Sequence, residues 1–320
     1  MPQIRTGATD RFFRLGTGSF ALVLILIVVG IAVVLWNESI LSIREFGLKF
    51  WVTERWDPVA GDFGALPFIW GTLYSSILAL ILATPVAIGI AVFLSELCPN
   101  RLRTPLVFLT ELLAAIPSIV YGLWGIFVLV PAVRALQLSL PDWMTALPLF
   151  SGPPVGVSML TAALVLAIMI VPFTASVARE VLKAVPMAQR EGAYALGSTR
   201  WEATRVALHY ARVGIVGAVM LGFGRALGET MAVTMVIGND PKISWSLFAP
   251  QYTMAAVIAN EFKEAVEELH LHALVEIGLV LFVITLIVNV ASRLLIWNMT
   301  RERRPRRPIT AVVPAEESAV

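Results

Sequence analysis

Six long apolar segments constrain this chain more than any other feature of its sequence. Each is close to the roughly 20 residues with which an α-helix crosses a hydrocarbon core of about 30 Å. They run approximately over Phe20–Trp36, Ile69–Leu94, Pro105–Val130, Ser158–Val177, Val213–Ile237 and Ala273–Trp297. Only 14% of the residues are charged and 58% are hydrophobic, whereas about 25% are charged in ordinary soluble domains. The sequence therefore predicts an all-α integral membrane protein with six transmembrane helices.

The charges between these segments give the chain an orientation. Arginines precede the first segment, and the second and fourth loops are basic, whereas the fifth loop is acidic. Basic loops remain on the cytoplasmic side of a membrane. Both termini and the second and fourth loops are therefore expected in the cytoplasm of a cell whose membrane this multi-pass protein spans.

The two ends of the chain flank the predicted membrane domain, residues 20–300. Residues 1–19 form a basic cytoplasmic segment, and the exit of the first apolar segment, Leu35 to Glu38, has no small-residue cleavage site. An uncleaved first helix is therefore expected rather than a signal peptide. Residues 301–320 combine arginine, proline and small residues without an apolar period. This composition predicts a disordered tail on anionic lipid headgroups.

Prolines and glycines inside the segments predict helix irregularities and close packing. Pro85, Pro117 and Pro172 lie in three consecutive segments, and each removes a backbone hydrogen bond and is expected to kink its helix. Three consecutive kinks favour a bundle around a pathway over plain helix packing. Gly224 and Gly228 are four residues apart, a spacing that usually indicates close contact between helices.

Arg225 lies in the middle of the fifth segment, with Glu229 four residues further on. An arginine at the centre of a membrane costs about 2.5–3.5 kcal/mol even on lenient insertion scales. At this spacing the two side chains share one face of a helix and can pair. The pair serves either as a structural ion pair or as part of a substrate pathway, and the residues alone leave both open.

The fourth loop, about residues 183–209, does not have the composition of a loop. Helix-forming residues follow Pro186, Gly197 is a natural end for a first helix, and Ser198 or Thr199 can begin a second. Two short helices are expected, which either lie on the lipid surface or dock onto a cytoplasmic partner.

Three motifs resemble one family of transport proteins. Glu191, Ala193 and Gly197 match the EAA loop of permease subunits of ABC importers, although Gly192 stands where that motif prefers alanine. The stretch from Glu111 to Gly125 resembles the third-helix signature of phosphate importer permeases, and the stretch from Gly224 to Val233 resembles the fifth-helix signature of their PstC type. Together with the six segments, the resemblance covers nearly the whole chain.

The resemblance implies a six-helix permease bundle with cytoplasmic coupling helices, a place in a bacterial cell (inner) membrane, and a set of partners. A PstA-like permease subunit, a PstB-like ATPase dimer and a PstS-like phosphate-binding protein are expected, besides membrane lipid and inorganic phosphate, and no nucleic acid. Glu191, Gly192, Ala193 and Gly197 would couple the permease to the ATPase. The sequence contains no Gly-Lys pair and hence no phosphate-binding P-loop. ATP and Mg²⁺ are therefore expected on the partner ATPase, and this subunit is expected to be non-catalytic and free of metal.

In such a permease, Arg225 and Glu229 acquire a chemical role. A guanidinium is a planar, permanently charged donor that suits phosphate. The hypothesis is that phosphate competes with Glu229 for Arg225, and that Glu229 accepts a hydrogen bond from the phosphate proton, which sulfate lacks. Glu111 is a further acid near a segment, expected to cap a kinked helix or to pair with a partner subunit. Glu276 is expected to reach water at the outer surface.

Three other functions remain as alternatives. The chain could be a permease for another oxyanion, a stand-alone secondary transporter or channel, or a membrane-embedded enzyme. A secondary transporter would leave the fourth loop unexplained, and an enzyme would need a nucleophile, a base or a metal cluster that the segments do not offer.

Overall fold

The computed structural model describes the backbone of residues 8–301 and the side chains of residues 12–300. The helices are α1 Ala8–Glu38, α2 Ile40–Phe46, α3 Leu66–Val92, α4 Asn100–Ala115, α5 Ser118–Trp124, α6 Val130–Ser139, α7 Asp142–Thr145, α8 Met159–Lys183, α9 Met187–Ala195, α10 Arg200–Leu227, α11 Met231–Thr234, α12 Met254–Glu261 and α13 Glu268–Arg301. A 3₁₀ turn follows α2 at Gly47–Trp51. Two π-helical turns extend α3 at Phe93–Leu97 and join α5 to α6 at Gly125–Leu129. The described part of the chain contains no β-strand, only two isolated bridges.

Six of these helical stretches are long and apolar enough to cross a membrane, which confirms the predicted number. They are Phe12–Glu38, Leu66–Leu97, Ser118–Ser139, Met159–Lys183, Arg200–Leu227 and Glu268–Thr300. The first begins well before the predicted Phe20, because α1 already starts at Ala8. The predicted basic tail lies outside the described residues beyond Arg301.

The third span was predicted at the wrong place. The chain is extended at Ile116 and Pro117, with ψ angles of 130° and 139°, so that α4 ends at Ala115 and a new helix begins at Ser118. Proline disfavours helical backbone at the residue before it, and here it ends a helix instead of kinking it. Pro85 and Pro172, in contrast, lie inside continuous helices, α3 and α8.

The fifth span also differs from its prediction, Val213–Ile237. Helix α10 begins much earlier, at Arg200, and ends at Leu227. The second short helix expected after Gly197 is therefore only the N-terminal part of this 28-residue span. A side chain–backbone capping box, formed by Thr199 and Glu202, fixes its beginning.

Small residues allow the central helices to approach one another closely. Helix α3 packs along α8, and α10 packs against both. Alanines at every fourth position of α3 are fully buried, namely Ala79, Ala83, Ala87 and Ala91. Because lipid tails are as apolar as leucine, helices associate in a membrane through such close van der Waals contact.

The glycines that mediate this packing are not the predicted pair. A side-chain carbon added at Gly222 would collide with Thr174 on α8, and one at Gly214 would collide with Val181. Gly224 has no atom near the position that its side chain would take, and Gly228 meets only the carbonyl oxygen of Gly224, at 4.0 Å. Among the described residues of this chain, Gly224 and Gly228 therefore do not mediate the predicted helix packing.

A second apolar cluster holds α12 and α13 against the aromatic segment that precedes α3. Its members include Phe50, Phe63 and Phe68. Glu276 of α13 is only 2% exposed, beside Ser42 of α2. The expectation that Glu276 reaches water was wrong, since α2 covers this face of α13.

Candidate functional site

The candidate site is a break in helical structure where α10 stops inside the bundle. Gly228 ends the helix with φ −92° and ψ 0°, Glu229 and Thr230 are not helical, and α11 begins at Met231. Non-helical backbone at membrane depth is tolerated only where protein buries it or where it lines a water-filled cavity. Discontinuous helices of this kind form substrate sites in many transporters.

The break lies near the middle of the bundle. The guanidinium carbon of Arg225 is 5.4 Å from the ring centroid of Phe173, a residue near the centre of the 25-residue α8. The neighbouring Ala226 packs in the same apolar cluster as Met169 and Ile170 of α8. Arg225 thus lies at the end of its own helix and yet near the midpoint of its neighbour.

Arg225 has charge but no protein acceptor. Its Nε atom is buried without a hydrogen-bond partner, and no ion pair or hydrogen bond to its side chain occurs among residues 12–300. The position in the last turn of α10 is favourable for a cation, because the helix dipole is negative there. Stacking on Phe173 adds a cation–π interaction. The guanidinium is held in place and keeps its donors available.

Glu229 does not pair with Arg225, so the predicted resting ion pair was wrong. The i, i+4 argument assumed a continuous helix, but α10 ends at Leu227 before Glu229 is reached. Instead, the Glu229 carboxylate accepts a hydrogen bond from the backbone N–H of Ala232, at 3.2 Å, at the start of α11. Its second oxygen has no hydrogen-bond partner among the described side chains.

Tyr121 supports the site in a way that sequence reasoning missed. Pro117 has no N–H to donate to the carbonyl of Leu113, which is left with one bond from Ile116 at 3.3 Å. The Tyr121 hydroxyl donates to the same carbonyl at 2.8 Å. Tyr121 also lies close enough to Arg225 for the charge of the guanidinium to act on the Tyr121 hydroxyl. The sequence signal that could have indicated this contact is a proline four residues before a tyrosine.

One face of α10 beside Arg225 has no neighbour among residues 12–300. Leu221 is 57% exposed, Gly224 faces open space, and Gly228 is exposed. Small residues on this face leave room at the level of the break. The arrangement can admit a solute or a second protein next to the guanidinium.

The predicted coupling loop contains a single short helix, α9, that ends as expected. Gly197 has φ +82°, a conformation that glycine adopts at low cost. Its N–H donates to the carbonyl of Tyr194, and the N–H of Ser198 donates to that of Ala193. These two bonds form a Schellman motif, which confirms Gly197 as the end of the helix.

The residues predicted for coupling point mostly away from the bundle. Glu191 and Gly192 are exposed, and Ala193 is buried against the protein. Apolar side chains around them are also exposed, including Leu196, at 89%, and Trp201. An exposed apolar surface around a short helix is typical of a protein–protein contact.

Glu111 lies on α4, which is outside the six spans, and its partner is in the same chain. Its carboxylate accepts a hydrogen bond from Arg179 of α8 at 3.3 Å. The buried Arg179 also pairs with Glu180 at 2.6 Å. Glu111 therefore ties α4 to the end of α8, and the structure places it neither at a kink nor at the site of Arg225.

Comparison with known proteins places these features in a family. Residues 87–301 match the family model described as a binding-protein-dependent transport system inner membrane component. Two similar proteins are called phosphate transport system permease protein PstC. The one from Mesorhizobium japonicum is 48% identical and covers 92% of both chains. The one from Haemophilus influenzae is also 48% identical and covers 92% of this chain and 95% of its own.

A more distant sequence relative and one solved structure are also similar to this chain. A Methanocaldococcus jannaschii protein, named as a probable phosphate transport system permease protein PstC, is 40% identical over 78% of this chain and 81% of its own. An inward-facing structure of the MetNI methionine ABC transporter aligns with a TM-score of 0.55, covering 73% of this chain and 94% of that one. At 16% identity, this likeness shows the fold alone.

Proposed function

The chain belongs to the family of binding-protein-dependent transport system inner membrane components, and we propose that it is the PstC-type permease subunit of an ATP-driven importer of inorganic phosphate. The observation that carries the proposal is the partner-free guanidinium of Arg225 at a mid-bundle helix break. The names of the PstC relatives support phosphate as the anion.

The chemistry of Arg225 suits an oxyanion. A guanidinium donates two parallel hydrogen bonds to phosphate and stays charged at any physiological pH. An arginine near the centre of a membrane is expensive, and here no carboxylate of the described residues neutralises it. A transported anion that arrives at the break would meet unsatisfied donors, and it would be released when the bundle reopens on the other side.

Glu229 favours a protonated anion over a fully deprotonated one. Its second carboxylate oxygen, which has no hydrogen-bond partner among the described residues, can accept a hydrogen bond from the hydroxyl group that phosphate carries at neutral pH. Sulfate carries no such proton and would meet only a negative charge. Discrimination between two isosteric oxyanions then depends on hydrogen-bond acceptance by Glu229.

A second permease subunit completes the pathway. The open face of α10 at Leu221, Gly224 and Gly228 lies directly beside Arg225, so this chain encloses the site on one side only. A PstA-like subunit on that face would close it. The alternative, a channel or secondary transporter that acts alone, explains neither this open face nor the exposed helix α9.

The remaining partners follow from the family. Helix α9, with Glu191, Gly192, Ala193 and Gly197, would dock into a PstB-like ATPase dimer, which binds the ATP and Mg²⁺ and supplies the energy. A PstS-like binding protein would deliver phosphate on the opposite side. This requires both termini and α9 in the cytoplasm, as the basic loops indicate.

Uptake of phosphate by an Arg225→Gln variant tests the proposal. The variant is expressed with its permease, ATPase and binding-protein partners, and uptake of labelled phosphate is measured. A hydrogen bond to a charged group contributes about 1.5–3 kcal/mol, so uptake is expected to fall roughly 10- to 100-fold. Arg225→Lys keeps the charge but not the planar fork, and is expected to retain an intermediate rate.

Arg293→Gln is the matched control, because Arg293 is an exposed arginine on the membrane helix α13, far along the chain from the break. It is expected to transport normally. Normal uptake by an assembled Arg225→Gln complex would remove Arg225 from the pathway. Unlabelled sulfate, molybdate or phosphonate that competes as well as unlabelled phosphate would refute the assignment to phosphate.

A further inference from the structure

The end of α3 is linked to α9 by an ion pair between two mostly buried side chains. The guanidinium of Arg190 on α9 donates to both carboxylate oxygens of Glu96, at 2.7 and 3.1 Å. The two side chains are only 13% and 12% exposed. A bidentate pair of this kind fixes orientation as well as distance.

The same guanidinium also holds the end of α8. It donates to the carbonyl oxygen of Leu182 at 3.0 Å and to that of Val185 at 2.8 Å. Leu182 lies in the last turn of α8, where carbonyls have no partner within the helix, and its carbonyl accepts from Arg190 and from the N–H of Val185, just beyond the helix. One side chain of α9 therefore binds two membrane helices at once.

Local backbone geometry places Glu96 in position for this contact. Glu96 belongs to the π-helical turn at Phe93–Leu97, which closes with a bond from the N–H of Cys98 to the carbonyl of Phe93 at 2.7 Å. A π-helical turn contains an additional residue and so changes the direction of the side chains that follow it. Such turns are frequent at functional sites.

The pair differs from the ion pair between Lys183 and Glu180 at the same end of the bundle. Lys183 and Glu180 interact at 3.2 Å, but their side chains are about half exposed and both belong to α8. An exposed pair within one helix contributes little and connects nothing. Arg190 and Glu96 connect separate helices, with little water to weaken the interaction.

We infer that Arg190 and Glu96 are positioning residues that transmit movement of the coupling helix α9 to the membrane helices α3 and α8. The inference rests on the proposed function, in which an ATPase moves α9. Because Arg190 contacts α3 and α8 together, a displacement of α9 moves both helix ends as one unit. Helix α8 carries Phe173, on which Arg225 stacks, so the movement reaches the candidate site.

The test measures how movement of α9 reaches the candidate site, separately from phosphate transport. In a chain with Cys98→Ala, Gly224→Cys places a thiol beside Arg225, where the second permease subunit is proposed to close the pathway. A membrane-impermeant maleimide reports whether this thiol can be reached from water. The complete complex is labelled with and without ATP and vanadate. With Arg190 and Glu96 intact, the nucleotide is expected to change the labelling rate at least severalfold. With Arg190→Met or Glu96→Gln, this change is expected to disappear although ATP is still hydrolysed.

Lys183→Met is the matched control, since it removes a cytoplasmic-end charge that holds no second helix, and it is expected to behave as the unmodified chain. Arg190→Lys keeps the charge but cannot reach all four acceptors, so a reduced change is expected. Labelling that still responds to nucleotide in both Arg190→Met and Glu96→Gln would overturn the inference.

Assembly is measured by the amount of ATPase that co-purifies with each variant. If Arg190→Met fails to assemble, Glu96→Gln carries the test, because it leaves the guanidinium and its carbonyl contacts in place. Loss of the ATPase from both variants would assign the pair to docking and would overturn a role in transmission. Labelling of the thiol does not require phosphate, so absence of phosphate uptake by the unmodified complex would refute the proposed function alone.

Discussion

Single polar residues in this bundle depend on backbone irregularities for their environment. Arg225 keeps its donors because α10 ends two residues later and removes Glu229 from its face. Tyr121 binds a carbonyl that is deprived of its helical partner because Pro117 has no N–H. In both cases an interruption of a helix leaves a polar group without its expected partner. At Arg225 this group is the guanidinium itself, and near Pro117 it is the Leu113 carbonyl that Tyr121 binds.

Removal of the Tyr121 hydroxyl tests this reading. Tyr121→Phe keeps the ring and leaves the Leu113 carbonyl with its longer bond only. A hydrogen bond of this type contributes roughly 0.5–1.5 kcal/mol, so a lowering of the unfolding temperature by a few degrees is expected, with partial loss of uptake. Thermal unfolding of the purified complex measures it.

Tyr194→Phe is the control for this change, because the exposed Tyr194 hydroxyl makes no hydrogen bond to the residues that the structure describes. The two variants are expected to differ in unfolding temperature. Equal stability of both variants would show that the Leu113 carbonyl at the end of α4 does not need the Tyr121 hydroxyl.

The positions of small residues decide which faces of the helices can pack closely together. On α10, Gly222 faces α8 and Gly224 faces open space, although they lie only two residues apart. The first allows two helices to touch, and the second leaves room beside Arg225. Sequence spacing cannot distinguish these roles, because both glycines belong to small-residue patterns.

A matched pair of substitutions separates the two glycines. Gly222→Ala would force its new methyl group against Thr174 and Ile170, and overpacking of this kind costs roughly 1–3 kcal/mol. Gly224→Ala meets no neighbouring atom, and alanine stabilises a helix by up to about 1 kcal/mol relative to glycine. Relative to the unmodified chain, the unfolding temperature is expected to fall in Gly222→Ala and to stay the same or rise in Gly224→Ala.

The opposite order of stabilities would mean that α10 packs through the face of Gly224. Such a result would restore the close packing first expected from Gly224 and Gly228, either within the chain or against the second permease subunit proposed for this face.

The molecule as a whole is a bundle with two different ends. Apolar aromatic packing holds α12 and α13 at one end. At the other, α9 is held by the ion pair of Arg190 with Glu96 and presents exposed apolar side chains. The basic loops indicate that this second end faces the cytoplasm.

Labelling of single cysteines tests the orientation. In a Cys98→Ala background, Val59→Cys and Leu196→Cys place thiols at positions that are 96% and 89% exposed, one before α3 and one after α9. In sealed cells an impermeant maleimide is expected to label only residue 59. In detergent-permeabilised cells that lack the ATPase partner, which is proposed to cover α9, it is expected to label both. Labelling of residue 196 in sealed cells would reverse the orientation.

The sequence by itself determined the six membrane helices and the family, and indicated the end of α9. These features depend on local composition and on glycine chemistry, as Gly197 illustrates with its φ of +82°. The third and fifth spans were misplaced because hydropathy counts apolar residues and does not register where a helix stops.

Only the tertiary structure decided where α10 stops and which polar groups meet. Non-helical backbone after the break is satisfied by residues far away in sequence: the carbonyl of Val236 accepts from Ser158, and that of Ile237 accepts from Gln251. The contact of Arg190 with Glu96 spans 94 positions of the chain. Burial makes such long-range hydrogen bonds obligatory, but their partners become visible only when the helices are packed.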